Sequence, residues 1–377
     1  MDNNLHSKIA IVIGTKAELI KCIPIMLELQ KRNLNYTFIS TGQHNLTKLS
    51  NELNVKNPDF ILSKEPENTT KFWSRVNNNS FFWNILMVFK IKKLLRKIKP
   101  KYVIYHGDTM SSADAAIGSS RILNPFKKWK NVHLEAGLRS GSLSEPFPEE
   151  ISRQICDKFS DTLFAVSDLT EKNLKNQFKN SKKEVIKTGN TVIDSAWIIY
   201  ENAKKKFKKQ KQGYVLINLH RHENLINKNR MIKIVEILKK TKIKGIWPLH
   251  ENTKVFLEKY GLMSQVSNMK NIEITPLKDY EEFIFLLGNC KYLITDGGSI
   301  QEESLVFKKP CILLRNLTER QEGLNSGINF LTKLNVEEAG LIIRDIEKNK
   351  IKIKNFKNPY GEKGLSKQIV NYLLERN

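Results

Sequence analysis

Two stretches of this chain alternate apolar runs with helical patterns, and this alternation restricts the fold more than any other feature. In the first stretch, strands are predicted at Ile9–Ile13 and Tyr36–Ser40, on either side of a helix at Glu18–Lys31. The second opens with the apolar run Tyr214–Leu219. Further strands are predicted at 246–249, 272–275, 292–295 and 311–314. Strands that alternate with helices favour parallel sheets, so we predict two Rossmann-like α/β domains.

The boundary between the domains is predicted around Gly189-Asn190-Thr191, ahead of the lysine-rich stretch Ala203–Gln212. A chain of 377 residues is long enough for two domains of ordinary size. We therefore expect an N-terminal domain of residues 1–188 and a C-terminal domain of residues 189–362. The helical spacing of Leu365–Glu375 predicts a C-terminal helix within 363–377 that completes the first domain. Two such halves facing a cleft are the GT-B architecture.

The net charge of +24 raises the question of nucleic-acid binding. A clustered basic face would favour that function, but the lysines are dispersed along the whole chain. A basic binding protein would also leave the acidic motifs described below unexplained, so we expect no nucleic-acid partner.

The four cysteines have no paired spacing typical of zinc sites or disulfides, which indicates reduced thiols and a cytoplasmic protein. No signal-peptide pattern is found at the N-terminus.

The run Phe81–Phe89, followed by Lys90, Lys92, Lys93, Arg96 and Lys97, is the most membrane-like segment. It is too short to span a bilayer, which needs about 20 apolar residues. We expect a helix packed on the sheet, with its basic end suited to the helix dipole. Peripheral attachment to a membrane stays open as an alternative.

Three acidic motifs indicate a catalytic site. The first, His106-Gly107-Asp108-Thr109, follows the apolar run Tyr102–Tyr105. The second is His133–Arg139, in which the short run Val132–Leu134 precedes Glu135. The third is Pro148-Glu149-Glu150, which is followed by Arg153. Asp108 and Glu135 are expected just beyond the carboxyl ends of strands, where open α/β sheets bind ligands. A single acid there is more often a helix cap, but three such motifs favour acid/base chemistry.

Further motifs are typical of phosphate binding. Gly14–Lys21 joins the first strand to the first helix, and Lys21 could counter charge on a leaving group, although a plain turn is the simpler interpretation. His220 and His250 end strands of the second half and favour diphosphate contact over metal binding. Thr295–Glu303 combines Gly297, Gly298 and Ser299 with a helix start, which predicts an anion site. Glu303 is placed to accept hydrogen bonds from ribose.

These motifs, taken in order, resemble those of the non-hydrolysing UDP-N-acetylglucosamine 2-epimerase family from about Lys8 to Leu334. The family pattern runs Gly-Thr-Arg-Pro-Glu-x-Ile-Lys, His-Gly-Asp-Thr, His-Val-Glu-Ala-Gly-Leu-Arg, Pro-Glu-Glu-x-x-Arg, Gly-Asn-Thr, a His-Arg segment, Asp-Ser-Gly-Gly-x-Gln-Glu-Glu and Thr-Glu-Arg. The chain has a close counterpart of each. An ordered set of this kind is far more specific than any of its members.

The resemblance implies an isomerase that interconverts UDP-GlcNAc, or a close UDP-HexNAc, and UDP-ManNAc for cell-surface polysaccharide synthesis. In this mechanism UDP leaves by anti elimination to give a 2-acetamidoglucal and then adds back. It needs no metal or other cofactor, and family members are commonly homodimers. Carried over by motif, the catalytic group is Asp108, Glu135, Glu149, His220, Lys21 and Arg153. The substrate-binding group is Lys16, Gly297, Gly298, Ser299, Glu303, His250 and Arg320.

Three departures from the family pattern stand out. Lys16 replaces Arg, and Gly297-Gly298-Ser299 permutes the usual Ser-Gly-Gly. The pair Gln43-His44 matches residues of allosteric substrate binding, but Glu65–Thr70 replaces the Gln-containing segment that works with it. The sequence leaves open the exact sugar, substrate activation and which carboxylate is the base. Two other enzyme classes also stay open: a hydrolysing 2-epimerase and a GT-B glycosyltransferase.

Overall fold

The computed structural model describes residues 8–64, 78–142, 148–208, 213–351, 353 and 356–375. The departure noted at Glu65–Thr70 lies outside the described residues. The chain divides into two compact units, one of residues 1–195 with 360–377 and one of residues 196–359. The sequence-based division at 188/189 remains a prediction about domain limits.

The secondary structure of the described residues alternates between strands and helices along both units. The strands are β1 Ile9–Ile13, β2 Tyr36–Ser40, β3 Phe60–Ile61, β4 Tyr102–His106, β5 Lys130–Ala136, β6 Thr162–Ala165, β7 Glu184–Lys187, β8 Val215–Asn218, β9 Gly245–Pro248, β10 Ile272–Thr275, β11 Tyr292–Thr295, β12 Cys311–Leu313 and β13 Asn329–Leu331. The helices are α1 Lys16–Lys31, α2 Thr47–Glu52, α3 Asn78–Ile98, α4 Met110–Gly118, α5 Glu149–Phe159, α6 Asp168–Gln177, α7 Val192–Lys206, α8 His222–Leu225, α9 Lys228–Lys239, α10 Glu251–Lys259, α11 Met263–Ser267, α12 Tyr280–Asn289, α13 Ile300–Val306, α14 Gln321–Leu324, α15 Val336–Glu347 and α16 Leu365–Glu375.

Each unit contains one parallel sheet. In the first unit the strand order among the described residues is β3-β2-β1-β4-β5-β6-β7. In the second it is β10-β9-β8-β11-β12-β13. All the pairs in both sheets are parallel. The predicted fold class, two Rossmann-like parallel-sheet domains of the GT-B type, is confirmed. The strand order reverses between β1 and β4 in the first sheet and between β8 and β11 in the second, where such sheets bind ligands.

Helices cover both faces of the first sheet, which explains why every residue of β1 is buried. On one face α1 packs beside α16, whose Ile369, Val370 and Leu373 join the core. On the other face α3 contributes Met87 and Ile91, α4 contributes Ala113, and α5 contributes Cys156. All four cysteines of the chain are free and buried.

Helix α3 has two apolar faces. Ile91 and Leu95 are fully buried in the core, as the packed-helix interpretation predicts. Phe81, Phe82 and Phe89 are instead exposed by 53–63%. No helix in the described part of the chain is long and apolar enough to cross a membrane.

Candidate active site

Glu135, one of the predicted catalytic carboxylates, lies at the centre of a buried polar cluster. Both its carboxylate oxygens are 2.8 Å from Lys21 Nζ, and Asn190 Nδ2 donates to Oε2 at 2.7 Å. The Glu135 side chain is only 1% exposed and that of Lys21 11%. A buried charge pair is stable only with good geometry and added hydrogen bonds, and this carboxylate has both.

The backbone at Glu135 is unusual for a non-glycine residue. Its φ is +66°, and the pairing of β5 with β6 shifts register between Leu134 and Ala136. A positive φ costs free energy and is found where surrounding structure enforces it, often at functional sites. The prediction that Glu135 lies beyond its strand is wrong, because this bulge extends β5 to Ala136 and turns the carboxylate toward Lys21.

Asp108 forms a second cluster with residues of α5. Arg153 Nη2 donates to Asp108 Oδ2 at 2.5 Å, while its Nη1 donates to Glu150 Oε2 at 3.0 Å. Arg153 is buried, and the Asp108 side chain remains 21% exposed. Arg153 therefore holds in place a carboxylate that solvent can still reach.

The two clusters lie next to each other at the carboxyl edge of the first sheet. Gly107 N donates to Leu134 O at 3.0 Å, and a Cβ atom on Gly107 would lie 3.5 Å from Glu135 Oε1. Helix capping does not explain either acid. Thr109, and not Asp108, caps α4, and Glu135 lies within β5.

Glu149, the third predicted acid, is the first residue of α5 and is half-buried. An acidic residue in a first helical turn also stabilises the helix dipole, so its position alone does not distinguish the two roles. Its catalytic role stays a prediction.

The turn after β1 is organised by Glu18, which the sequence did not single out as a site residue. Its Oε2 accepts the N–H groups of Gly14 and Thr15, both at 2.7 Å, and Oε1 accepts from Thr109 and Ser112 at 2.5 Å. These amides are therefore used within the protein, which favours the plain-turn interpretation of this segment. A Thr-x-x-Glu capping box was the available signal.

Gly14 and Lys16 have different roles in the same turn. A Cβ atom on Gly14 would lie 2.0 Å from Ser111 Oγ, so the glycine permits close packing of this turn against the start of α4. Lys16 is exposed at the start of α1. Its side chain is thus available to an anion, whereas the amides before it are not.

Asp296 organises the corresponding edge of the second sheet. Its carboxylate is fully buried and accepts the N–H groups of His220 and Arg221, both at 3.0 Å, and Asn224 Nδ2 at 3.1 Å. Burial raises the pKa of Asp296, although these three donors stabilise the ionised form. The acid thereby fixes the loop that carries His220 beside the Gly297 turn.

The imidazoles of His220 and His250 stack with their centroids 4.7 Å apart. Loss of hydration on burial lowers the pKa of each to about 4, and the charge of Arg221 adds to the effect at His220. Both rings are therefore neutral at pH 7. Neutral rings can donate a hydrogen bond to a phosphate oxygen without adding charge.

The Gly297-Gly298-Ser299 turn leads from β11 into α13. Ser299 occupies the N-cap position, but its side chain makes no capping hydrogen bond, so simple capping does not account for it. A Cβ atom on Gly298 would lie 3.3 Å from Arg221 Nη2 and 3.5 Å from Arg320 Nη1. Glu319 Oε1 also lies 3.5 Å from that position, and Arg320 is buried in ion pairs with Glu302 and Glu319. The guanidinium of Arg221 beside the glycine suits a diphosphate, because backbone and side chain can approach it together. The sequence missed the role of Arg221.

Glu303, the predicted ribose acceptor, is buried in α13 and accepts a hydrogen bond from the Tyr280 hydroxyl at 2.7 Å. Burial, and then the charge of Glu303, raise the pKa of Tyr280 well above its usual range, so the phenol stays a neutral donor. No group of three or more His, Cys, Asp or Glu within the described ranges is placed to hold a metal ion.

Comparison with known proteins agrees with this arrangement. Residues 27–374 match a family model described as UDP-N-acetylglucosamine 2-epimerase. This chain belongs to the UDP-N-acetylglucosamine 2-epimerase family. The family resemblance seen in the motifs is thereby confirmed.

Relatives cover almost the whole chain. The UDP-N-acetylglucosamine 2-epimerase of Methanocaldococcus jannaschii is 33% identical, over 97% of this chain and 98% of the relative. A crystal structure of the enzyme from that organism, in complex with UDP-GlcNAc and UDP, matches with a TM-score of 0.81 at 31% identity, over 97% of this chain and 99% of that one. The UDP-2,3-diacetamido-2,3-dideoxy-D-glucuronate 2-epimerase of Pseudomonas aeruginosa is 31% identical, over 86% of this chain and 88% of the relative.

Proposed function

We propose that this member of the 2-epimerase family interconverts UDP-GlcNAc, or a close UDP-HexNAc, and UDP-ManNAc without hydrolysis. The observation that carries the proposal is the pair of neighbouring carboxylate clusters, Glu135 with Lys21 and Asp108 with Arg153. An epimerase must remove a proton from one face of C2 and return one to the other face. Two carboxylates held by separate cations supply two such groups.

The proposed reaction begins with cleavage of the anomeric bond, because the C2 proton is barely acidic. UDP leaves with its electron pair while one carboxylate takes the C2 proton, which gives the 2-acetamidoglucal. A proton then returns to the opposite face of C2 as UDP adds back to C1. Glu135, Asp108 and Glu149 are the candidates for these proton transfers, and Lys21 stabilises charge in the same cluster.

Binding of the UDP moiety is assigned to the second unit. Arg221 beside Gly298 provides a planar donor for the diphosphate, and the neutral imidazoles of His220 and His250 provide further donors. Arg320, the motif residue next to them, is held near Gly298 by Glu302 and Glu319. Glu303 is proposed to accept the ribose hydroxyls. The family motif assigns Lys16, in the first unit, to diphosphate binding. Its ammonium is a point charge, whereas the arginine that most of the family has at this position can donate two parallel hydrogen bonds.

The function is tested by incubating the protein with UDP-GlcNAc in D2O and following the products by NMR. We expect UDP-ManNAc to form reversibly, with deuterium at C2 of the sugar, because the proton returned at C2 comes from a group that exchanges with solvent. Release of free ManNAc and UDP would instead indicate the hydrolysing reaction. Transfer of the sugar to an acceptor, with no deuterium at C2, would indicate a glycosyltransferase.

The identity of the sugar remains part of the proposal. The Pseudomonas aeruginosa relative acts, by its name, on a diacetamido glucuronate rather than on GlcNAc. A parallel assay with that nucleotide sugar therefore belongs in the same experiment. The substrate with the higher kcat/KM is the one that the site prefers.

We also propose a cytoplasmic homodimer joined through the exposed face of α3. Phe82, Leu86 and Phe89 are 53–59% exposed and are spaced to form one apolar stripe. The apolar half of α3 precedes its basic half, so two copies crossing antiparallel would pair their apolar halves and keep the lysines apart. A two-fold interface must be self-complementary in this way.

The Phe82→Asp variant should sediment as a folded monomer, with the circular dichroism spectrum of the parent, whereas the parent sediments as a dimer. Leu341→Asp, at an exposed apolar position of α15, is the matched control and should leave the dimer intact. A monomeric parent would contradict the proposal. Flotation of the parent with vesicles of anionic lipid would support the peripheral-membrane alternative.

A further inference from the structure

His133 lies within the catalytic motif, yet the reaction proposed above gives it no part. It stands on β5 two residues before Glu135, and its side chain is fully buried. Its Nδ1 is 2.7 Å from Asp157 Oδ1, and its Nε2 is 2.9 Å from the carbonyl oxygen of Gly107. A carboxylate and a carbonyl oxygen both accept, so both ring nitrogens must donate. The geometry is that of an imidazolium.

The acceptor Asp157 is an ionised carboxylate that is held by two donors. Asp157 is also bound by Arg139, whose Nη2 donates to Oδ2 at 2.6 Å. Burial alone would raise the pKa of Asp157, but the hydrogen bonds and charges of His133 and Arg139 outweigh it and lower that pKa. The ring of Tyr105 lies 5.7 Å from the imidazole centroid to centroid, close enough for a cation–π contribution.

The carbonyl bound by His133 belongs to the residue immediately before Asp108. The backbone of Gly107 makes a second hydrogen bond to β5, because its N–H group donates to Leu134 O. Gly107 itself has a φ of +76°, a conformation that glycine adopts readily and other residues rarely do. His133 and Leu134, which directly precede Glu135 in β5, therefore both bind the backbone of Gly107, the residue before Asp108.

We propose that His133, as an imidazolium paired with Asp157, is a positioning residue that sets the separation of the Asp108 and Glu135 carboxylates. This inference rests on the proposed function, because it assigns His133 to the same epimerisation. The Asp157 pair also ties β5 to α5, the helix that carries Arg153, so the Asp108 loop is fixed through both its backbone and its side chain. Misplacing a reacting group by about 1 Å can cost as much as 10²-fold in rate.

The test compares two substitutions that each keep one half of the interaction. In His133→Gln the terminal amide can still donate to the Gly107 carbonyl. In His133→Asn the shorter amide reaches only Asp157. We expect His133→Asn to lose about tenfold or more in kcat with KM and UDP affinity little changed, and His133→Gln to recover most of that loss.

Asn131→Ala is the matched control for stability. Asn131 lies on the same face of β5, and its buried side chain donates to Phe159 O at 3.0 Å without contacting Gly107. All rates are measured per folded molecule, well below each melting temperature. Equal rates in the Gln and Asn variants, or a loss in Asn131→Ala as large as in His133→Asn, would overturn the positioning role. A parent protein that does not epimerise would overturn the proposed function instead.

Discussion

The Glu135→Gln variant is expected to lose about 10²- to 10⁴-fold in turnover while still binding UDP, because general acid/base catalysis typically contributes that much. Glutamine keeps the shape of the side chain, and its one carbonyl oxygen can still accept from Lys21 and Asn190. Its NH2 group replaces the second oxygen that faces Lys21, so the rate is taken per folded molecule to separate lost proton transfer from lost stability. Glu149→Gln should lose turnover in the same way. Turnover, UDP affinity and melting temperature are measured on each variant.

Glu28→Gln provides the comparison with a carboxylate that has only a structural role. Glu28 pairs with Arg32 at 2.6 Å on α1, and its replacement should leave turnover unchanged. If Glu135 and Glu149 served stability alone, their variants would melt earlier and keep near-normal rates per folded molecule. A rate within a few-fold of the parent for both variants would remove them from the catalytic group.

The Glu303→Ala variant is expected to bind UDP about 10- to 150-fold more weakly. The estimate converts the loss of about 1.5–3 kcal/mol typical of a hydrogen bond to a charged group. Since Tyr280 holds Oε1 in place, the carboxylate is oriented before the ligand arrives. Calorimetric titration with UDP measures the effect directly, without any need for turnover.

Glu337→Ala removes a carboxylate of the same unit whose side chain is 83% exposed, and it should not change UDP affinity. The circular dichroism spectrum of each variant shows whether the fold is retained. Unchanged UDP affinity in a folded Glu303→Ala protein would mean that the ribose binds elsewhere.

Local sequence patterns predicted the strands well. Ile9–Ile13, Tyr36–Ser40, Ile272–Thr275 and Tyr292–Thr295 have the bounds predicted for them. Each is a short apolar run between polar segments, and such runs reflect burial on both faces of a parallel sheet. Helix starts were less accurate. α1 begins at Lys16 rather than Glu18, because Thr15 and Glu18 form a capping box at its first turn.

The sequence by itself determined the two parallel-sheet units, the family and the segments that carry acidic side chains. All of these depend on residue order and on periodicities within short stretches. Contacts between distant segments could not be predicted in this way. The pairing of Lys21 with Glu135, Arg153 with Asp108 and His133 with Gly107 joins residues 26 to 114 positions apart. The tertiary structure decided these pairs, because burial in a close-packed interior requires each charge and each donor to find its partner.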